Sequence, residues 1–174
     1  MIAVLGTLGG VALGFFLNFY WQKRRDEELL TKKRRAIESE LRTNASLMPQ
    51  KIDLLQKIKN ELQKGKLLRG SSVRFPAHCY TNYIGEVSVS LTDRQRENLV
   101  VIYETLRIVD KFMDNLFSEY IELYKSKALP GFGKSYTGDL ASLIDECWLA
   151  KKLIEEYLAG KPRKIAWDEL PQWE

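Results

Sequence analysis

The first 21 residues constrain this chain more than any other stretch. Met1 to Trp21 is apolar almost throughout and holds no Asp, Glu, Lys or Arg. As a helix rising about 1.5 Å per residue it is roughly 31 Å long, close to the ~30 Å hydrocarbon core of a bilayer. A cleaved secretory signal needs a basic start, a shorter apolar run and small residues at the cleavage site. Here Phe15, Phe16, Phe19, Tyr20 and Trp21 stand where small residues would be required, and Lys23, Arg24 and Arg25 follow at once. Residues 1–22 therefore read as a transmembrane helix with an aromatic belt at its inner end. By the positive-inside rule, Lys23–Arg25 and Lys32–Arg35 stay in the cytosol. That places Met1 outside and the rest of the chain inside, in an inner (cytoplasmic) membrane. No other apolar run approaches 18 residues, so the expectation is a single pass.

Within the span, Gly6, Gly10, Gly14 and Asn18 recur at spacing four and form one slowly drifting helical stripe. Glycine is common in membrane helices, and such spacing can arise without purpose. Read functionally, the stripe lets two helix backbones approach closely, and a buried Asn18 amide finds its partner in a second copy. The expectation is a homo-oligomer assembled through these four residues.

Beyond the span about 150 residues remain, enough for one domain with a real core. The net charge of +4 is unevenly placed: residues 23–69 hold 14 Lys/Arg against 7 Asp/Glu, and residues 70–174 hold 13 against 16. The membrane-proximal part is basic, which suits anionic lipid headgroups as partner. Cys79 and Cys147 lack metal-type spacing and read as free thiols of a reducing compartment.

The pattern beyond Trp21 is helical. Leu29, Leu30, Ile37 and Leu41 keep helical spacing with no breaker before Ser46, giving a juxtamembrane helix over 23–48. Pro49 either kinks that helix or opens a new one. The remainder, 49–174, reads as a helical domain. Ile52, Leu54, Leu55, Ile58 and Leu62 form an amphipathic helix that Gly65 caps. Residues 66–91 are the least periodic, with a short helix over 77–84 ended by Gly85 and an extended piece at Val87 and Val89. Thr92-Asp93-Arg94-Gln95 has capping-box form and opens a helix to about Lys127 with a continuous apolar face. Leu129-Pro130-Gly131-Phe132-Gly133 breaks it, and a last helix runs from about Asp139 to Ala159, closed by Gly160 and Pro162. The tail carries Trp167, Leu170 and Trp173. The fold class expected is all-α: an N-terminal transmembrane helix continuing into a cytosolic antiparallel helical bundle.

Chemistry is sparse. Gly133-Lys134-Ser135 contains the end of a phosphate-loop motif, but the glycine needed five residues earlier is Ala128, and a helix rather than a strand precedes it. Lys134, Ser135 and Thr137, with free amides just before a helix start, remain a candidate anion site. Arg69 and Arg74, at the end of the basic run Lys51, Lys57, Lys59, Lys64 and Lys66, lie close in sequence to Tyr80 and Tyr83. Basic and aromatic residues together hold nucleotides by charge and stacking. The ligand-binding candidates are thus Arg69, Arg74, Lys134, Ser135 and Thr137. His78, the only histidine, cannot build a zinc site with two scattered cysteines, and Cys79 beside it has no orienting carboxylate nearby in sequence. No catalytic residue, metal or cofactor is expected, the chain does not read as an enzyme, and nothing points to double-stranded nucleic acid.

The stretch Gly10 to Asn44, with its glycine-rich span, RRDEELLTKKRR and ESELRTN, resembles small bacterial single-pass proteins with a cytosolic helical domain. Some of these are membrane effectors of antiviral immunity, CRISPR-associated ones included. The resemblance implies a domain that binds a cyclic oligonucleotide, a cyclic oligoadenylate, and signals to oligomerised membrane helices; it carries over no ligand-binding residue. The alternative is a constitutive membrane anchor or scaffold that recruits a protein partner.

Overall fold

The computed structural model describes the backbone over residues 2–66, 73–126 and 132–165, and side chains over 13–66, 73–119, 121–122 and 136–165. Every regular element among them is helical: α1 (Ile2–Gln63), α2 (His78–Val87), a 3-10 turn (Ser88–Ser90), α3 (Asp93–Ser126) and α4 (Phe132–Leu158).

Helix α1 is 62 residues long and continuous, so the divisions expected at 22/23 and 48/49 both fall inside it. Pro49 lies within the helix with its ring exposed. It removes one backbone donor, the one that would serve Ala45, a cost of about 3 kcal/mol in an isolated helix interior. Buried Met48 and Ile52 flank it, and their packing into the core holds the helix through the gap. At its far end α1 stops as the glycine predicts. Gly65 has φ of 72°, its amide donates to the carbonyl of Leu62, and the Lys66 amide donates to that of Glu61, a Schellman motif. Gly160 closes α4 in the same way, with bonds to Tyr157 and from Lys161 to Glu156. The capping box forms: the Gln95 amide donates to Thr92 Oγ1 and the Thr92 amide to Gln95 Oε1.

Two elements begin or end elsewhere than local signals indicate. Gly85 lies inside α2, which continues to buried Val87, and the expected extended piece at 87–89 is helix and 3-10 turn instead. Burial of Val87 outweighs the modest helical cost of a glycine. Helix α4 starts at Phe132, seven residues before Asp139, so the Gly-Lys-Ser stretch is its first turn rather than a loop before it.

The bundle is not a simple antiparallel one. α1 packs chiefly on α4 and α4 on α3, with α2 against α1. Tyr157 of α4 lies near Arg34 and Glu38, and Cys147 near Lys51, so α4 runs against α1. Glu40 meets Tyr103 and Lys51 meets Asp110, so α1 and α3 run in the same direction. The segment between them makes this possible. Val73 sits at the level of Lys51, Pro76 at Asn44, Cys79 at Glu40 and Glu86 at Lys33. It descends the length of the α1 bundle region as a strap before α3 rises again. One apolar core joins all of this, with Leu41, Met48, Leu55 and Ile58 from α1, Leu99, Ile102 and Leu106 from α3, and Leu140, Leu143 and Leu153 from α4.

Burial along α1 is lopsided. Residues 13–29 are all exposed, and the first buried residue among the described side chains is Ile37. Among the described residues no helix is long and apolar enough to cross a membrane. Of the stretch read as a span, side chains 13–21 are described and 1–12 lie outside.

Candidate functional site

Two regions of α1 stand out, one for what it leaves exposed and one for what it buries. In the first, Phe15 and Phe16 are 76% and 79% exposed, and Leu13, Leu17, Phe19, Tyr20 and Trp21 are exposed too. At about 100° per residue these seven side chains surround the helix except on the flank of Gly14 and Asn18. A Cβ added at Gly14 meets nothing within 4 Å. Asn18 borders a shallow groove lined also by Trp21, Gln22 and Arg25. Gly6 and Gly10 belong to the same helix, and their surroundings lie outside the described side chains. The stretch 22–36 that follows carries seven Lys/Arg and three Asp/Glu, with Arg24 paired to Glu28 and Arg34 to Glu38.

In the second region, polar side chains of α1 face inward and hold the strap. Glu40 is buried; its carboxylate accepts the backbone N–H of Cys79 at 2.7 Å and of Tyr80 at 3.1 Å, and the Tyr103 hydroxyl at 2.8 Å. Ala77, at the N-cap of α2, offers no side-chain bond, so a carboxylate from another helix caps α2 and faces the positive end of its dipole. One turn on, Asn44 Nδ2 donates to the Pro76 carbonyl at 2.9 Å. Further along, Lys51 Nζ donates to Asp110 Oδ1 at 2.7 Å and to the Val73 carbonyl at 2.9 Å, over the ring of Phe75. Asp110 Oδ2 accepts the Phe75 amide at 2.8 Å. Tyr80 stacks on Tyr103 with ring centroids 3.9 Å apart.

The electrostatics of this region oppose ionisation of its nucleophiles. Desolvation, then the Glu40 charge, raises the Cys79 thiol above its ordinary value, and desolvation and the bond to Glu40 raise the Tyr103 hydroxyl. Burial, then Glu146, pushes Cys147 up to about 12. Near neutral pH these groups keep their protons. Glu146 is itself buried with Oε1 unbonded, and burial followed by the neighbouring Asp145 charge pushes its carboxyl up to about 7.

The ligand-binding candidates are not gathered into one place. Arg69 lies outside the described residues, as do the side chains of Lys134 and Ser135, whose backbone forms the first turn of α4. Arg74 is paired with Asp114 at 2.6 Å. Thr137 is half-buried in α4, next to Tyr136, whose ring meets Phe112 edge-on and whose hydroxyl donates to Glu119. Asp114 and Phe112 are two residues apart on α3, about 200° around the helix, so Arg74 and Tyr136 attach to different flanks. Several of the aromatic and basic residues are engaged within the chain: Tyr80 with Tyr103, Tyr83 with Lys33, Lys57 with Asp53 and Lys64 with Glu61.

Glu40, Asn44, Lys51, Asp110 and Glu146 were not singled out by sequence for these roles. A signal existed for the first three: they share the stripe of Ile37, Leu41, Met48, Ile52 and Leu55, at spacings of three and four. Among the described residues no group of His, Cys, Asp and Glu could hold a metal ion. No protein family, curated protein or solved structure matches the chain.

Proposed function

We propose that this chain is a single-pass membrane protein that self-associates through its N-terminal helix and carries its helical bundle on the cytosolic side. The observation that supports the reading is the exposed apolar surface of residues 13–21 on a helix that continues into the bundle. Seven large apolar side chains arranged almost all round a helix have no arrangement in water that hides them. A lipid environment does so without any partner. The basic stretch that follows at Lys23 and the Trp21–Tyr20 pair at the boundary fit the same reading.

Two versions differ in what the bundle recognises. In the effector version, carried by the resemblance to antiviral membrane proteins, a cyclic oligoadenylate binds the bundle and a change passes along α1 to the Gly6–Asn18 stripe. In the scaffold version the bundle is a permanent recruiting domain. The mutual engagement of Lys33, Tyr80, Tyr83, Arg74 and Lys57 favours the scaffold, because these groups are already satisfied within the chain. Titrating cyclic oligoadenylates against the reconstituted protein separates the two. The scaffold predicts no change in melting temperature or vesicle permeability, and a saturable change in either establishes the effector. Self-association is tested by the mass of the detergent-solubilised complex. An oligomer that Gly10→Ile and Gly14→Ile dissociate supports the stripe; a monomer throughout removes it.

A further inference from the structure

The end of the bundle nearest the stalk differs in character from its sides. Here the 3-10 turn, the start of α3 and the segment after α4 come together. Asn98, fully buried, donates from Nδ2 to the Arg94 carbonyl at 2.8 Å and to the Arg163 carbonyl at 2.7 Å. Arg96 donates to the Ser88 carbonyl at 3.1 Å. Three elements are thereby tied into one rim. The acids Glu86 and Asp93 are taken by Lys33 and Arg96. Arg94, Lys161, Arg163 and Lys164 are all exposed and, among the described residues, have no ion pair; Glu97 and Glu156 are acids at the same end that also lack one. Val89 projects from the turn, 80% exposed.

We propose that this rim is a docking face for an anionic phospholipid surface, on which the bundle leans beside its own stalk. The inference rests on the membrane-anchor reading. Four cations that have no ion pair among the described residues, at the same end of the bundle as one exposed aliphatic side chain, match a headgroup layer, with charge meeting phosphate and Val89 reaching between headgroups. The reach is adequate. From Gln22 to Lys33 α1 rises roughly 17 Å, and the headgroup layer takes about 5–8 Å of that. With α1 upright the rim stands about a Debye length, ~8–10 Å, above the headgroups. A tilt of about 30°, within the usual range for membrane helices, lowers atoms some 15–20 Å from the axis by roughly 8–10 Å and closes the gap. The lipid would then set the tilt of the whole of α1, because the helix is continuous into the bundle.

The test is hydrogen exchange on the full chain in nanodiscs of phosphatidylcholine alone and of phosphatidylcholine with one-third phosphatidylglycerol. Exchange at residues 88–96 and 159–165 should slow at least threefold on the anionic discs, with residues 41–58 unchanged. Arg163→Glu with Lys164→Glu, or 1 M salt, should abolish the difference. Equal exchange on both discs, with the chain inserted in both, overturns the docking face and leaves the anchor intact. Equally slow exchange in detergent and on both discs shows that the protein itself covers the rim, and also overturns it. A chain recovered free of both discs overturns the anchor reading, and the docking face with it.

Discussion

Residues 13–29 and 37–62 belong to one helix, and they meet their surroundings in opposite ways. In the second stretch the apolar residues keep to one stripe, the stripe is buried, and each inward polar group is given a partner: Glu40 the amides of α2, Asn44 the Pro76 carbonyl, Lys51 Asp110. In the first, the apolar residues surround the helix except on the flank of Gly14 and Asn18, and nothing among the described residues covers them. A shared secondary structure thus says little about environment, whereas the angular distribution of apolar side chains says a great deal. A stripe asks for a neighbouring helix, and a full circumference asks for a different solvent.

Three substitutions sharpen the contrast, taken from the largest effect to the smallest. Lys51→Ala leaves half-buried Asp110 without its cation and removes the bond from α1 to the Val73 carbonyl. Loss of one partner of such a pair costs about 3–5 kcal/mol, to be read from chemical denaturation, and exchange at 73–77 should rise. Glu40→Ala strips two α2 amides and the Tyr103 hydroxyl of their acceptor; a loss of about 2–4 kcal/mol is expected. Neither change should alter membrane association, since both act within the bundle. If either releases the protein from vesicles, the two regions of α1 are not independent.

The smallest effect has the opposite sign. Glu146 is held protonated by burial, with its carboxyl pushed up to about 7. The folded state therefore keeps a proton that the unfolded chain has already lost between its ordinary value of 4.5 and about 7. Stability from this group is fully present below 4.5 and declines as pH rises through about 7. Glu146→Gln removes the cost of ionisation and should stabilise the protein by about 1–2 kcal/mol at pH 8, with little change at pH 4. A variant no more stable at pH 8 than at pH 4, each relative to the parent, would place Glu146 in contact with water.

Sequence made much of this fold legible, and the reasons are local. Gly65 and Gly160 mark helix ends because only a residue tolerant of positive φ closes a Schellman motif, and both do so here. Thr92 and Gln95 satisfy each other across one turn. What sequence did not show depends on residues far apart in the chain. The strap makes α1 and α3 parallel, and it is held by bonds spanning 22 to 53 residues, from Lys51–Val73 to Lys33–Glu86. The three buried charged or amide groups that hold it read as solvated when only their neighbours in sequence are considered. Pro49 and Gly85 are nominal breakers that α1 and α2 accommodate, because Met48, Ile52 and Val87 gain burial by continuing. Among the binding candidates, the basic and aromatic residue types were evident, but not that Arg74 faces Asp114 while Tyr136 faces Glu119.

The central claim, that α1 enters a bilayer at its exposed apolar end, is tested most directly by alkaline extraction of vesicles carrying the full chain and the Leu13→Lys, Phe16→Lys variant. Lysine costs about 2.5–3.5 kcal/mol at the centre of a span and less toward its end, so the pair opposes insertion by at most about 5–7 kcal/mol, with Leu13→Lys contributing more than Phe16→Lys. The parent chain is expected to stay with the vesicles and the variant to be released, with the bundle melting at the same temperature in both. A parent chain that washes off, or a variant that stays as firmly as the parent, would contradict the claim.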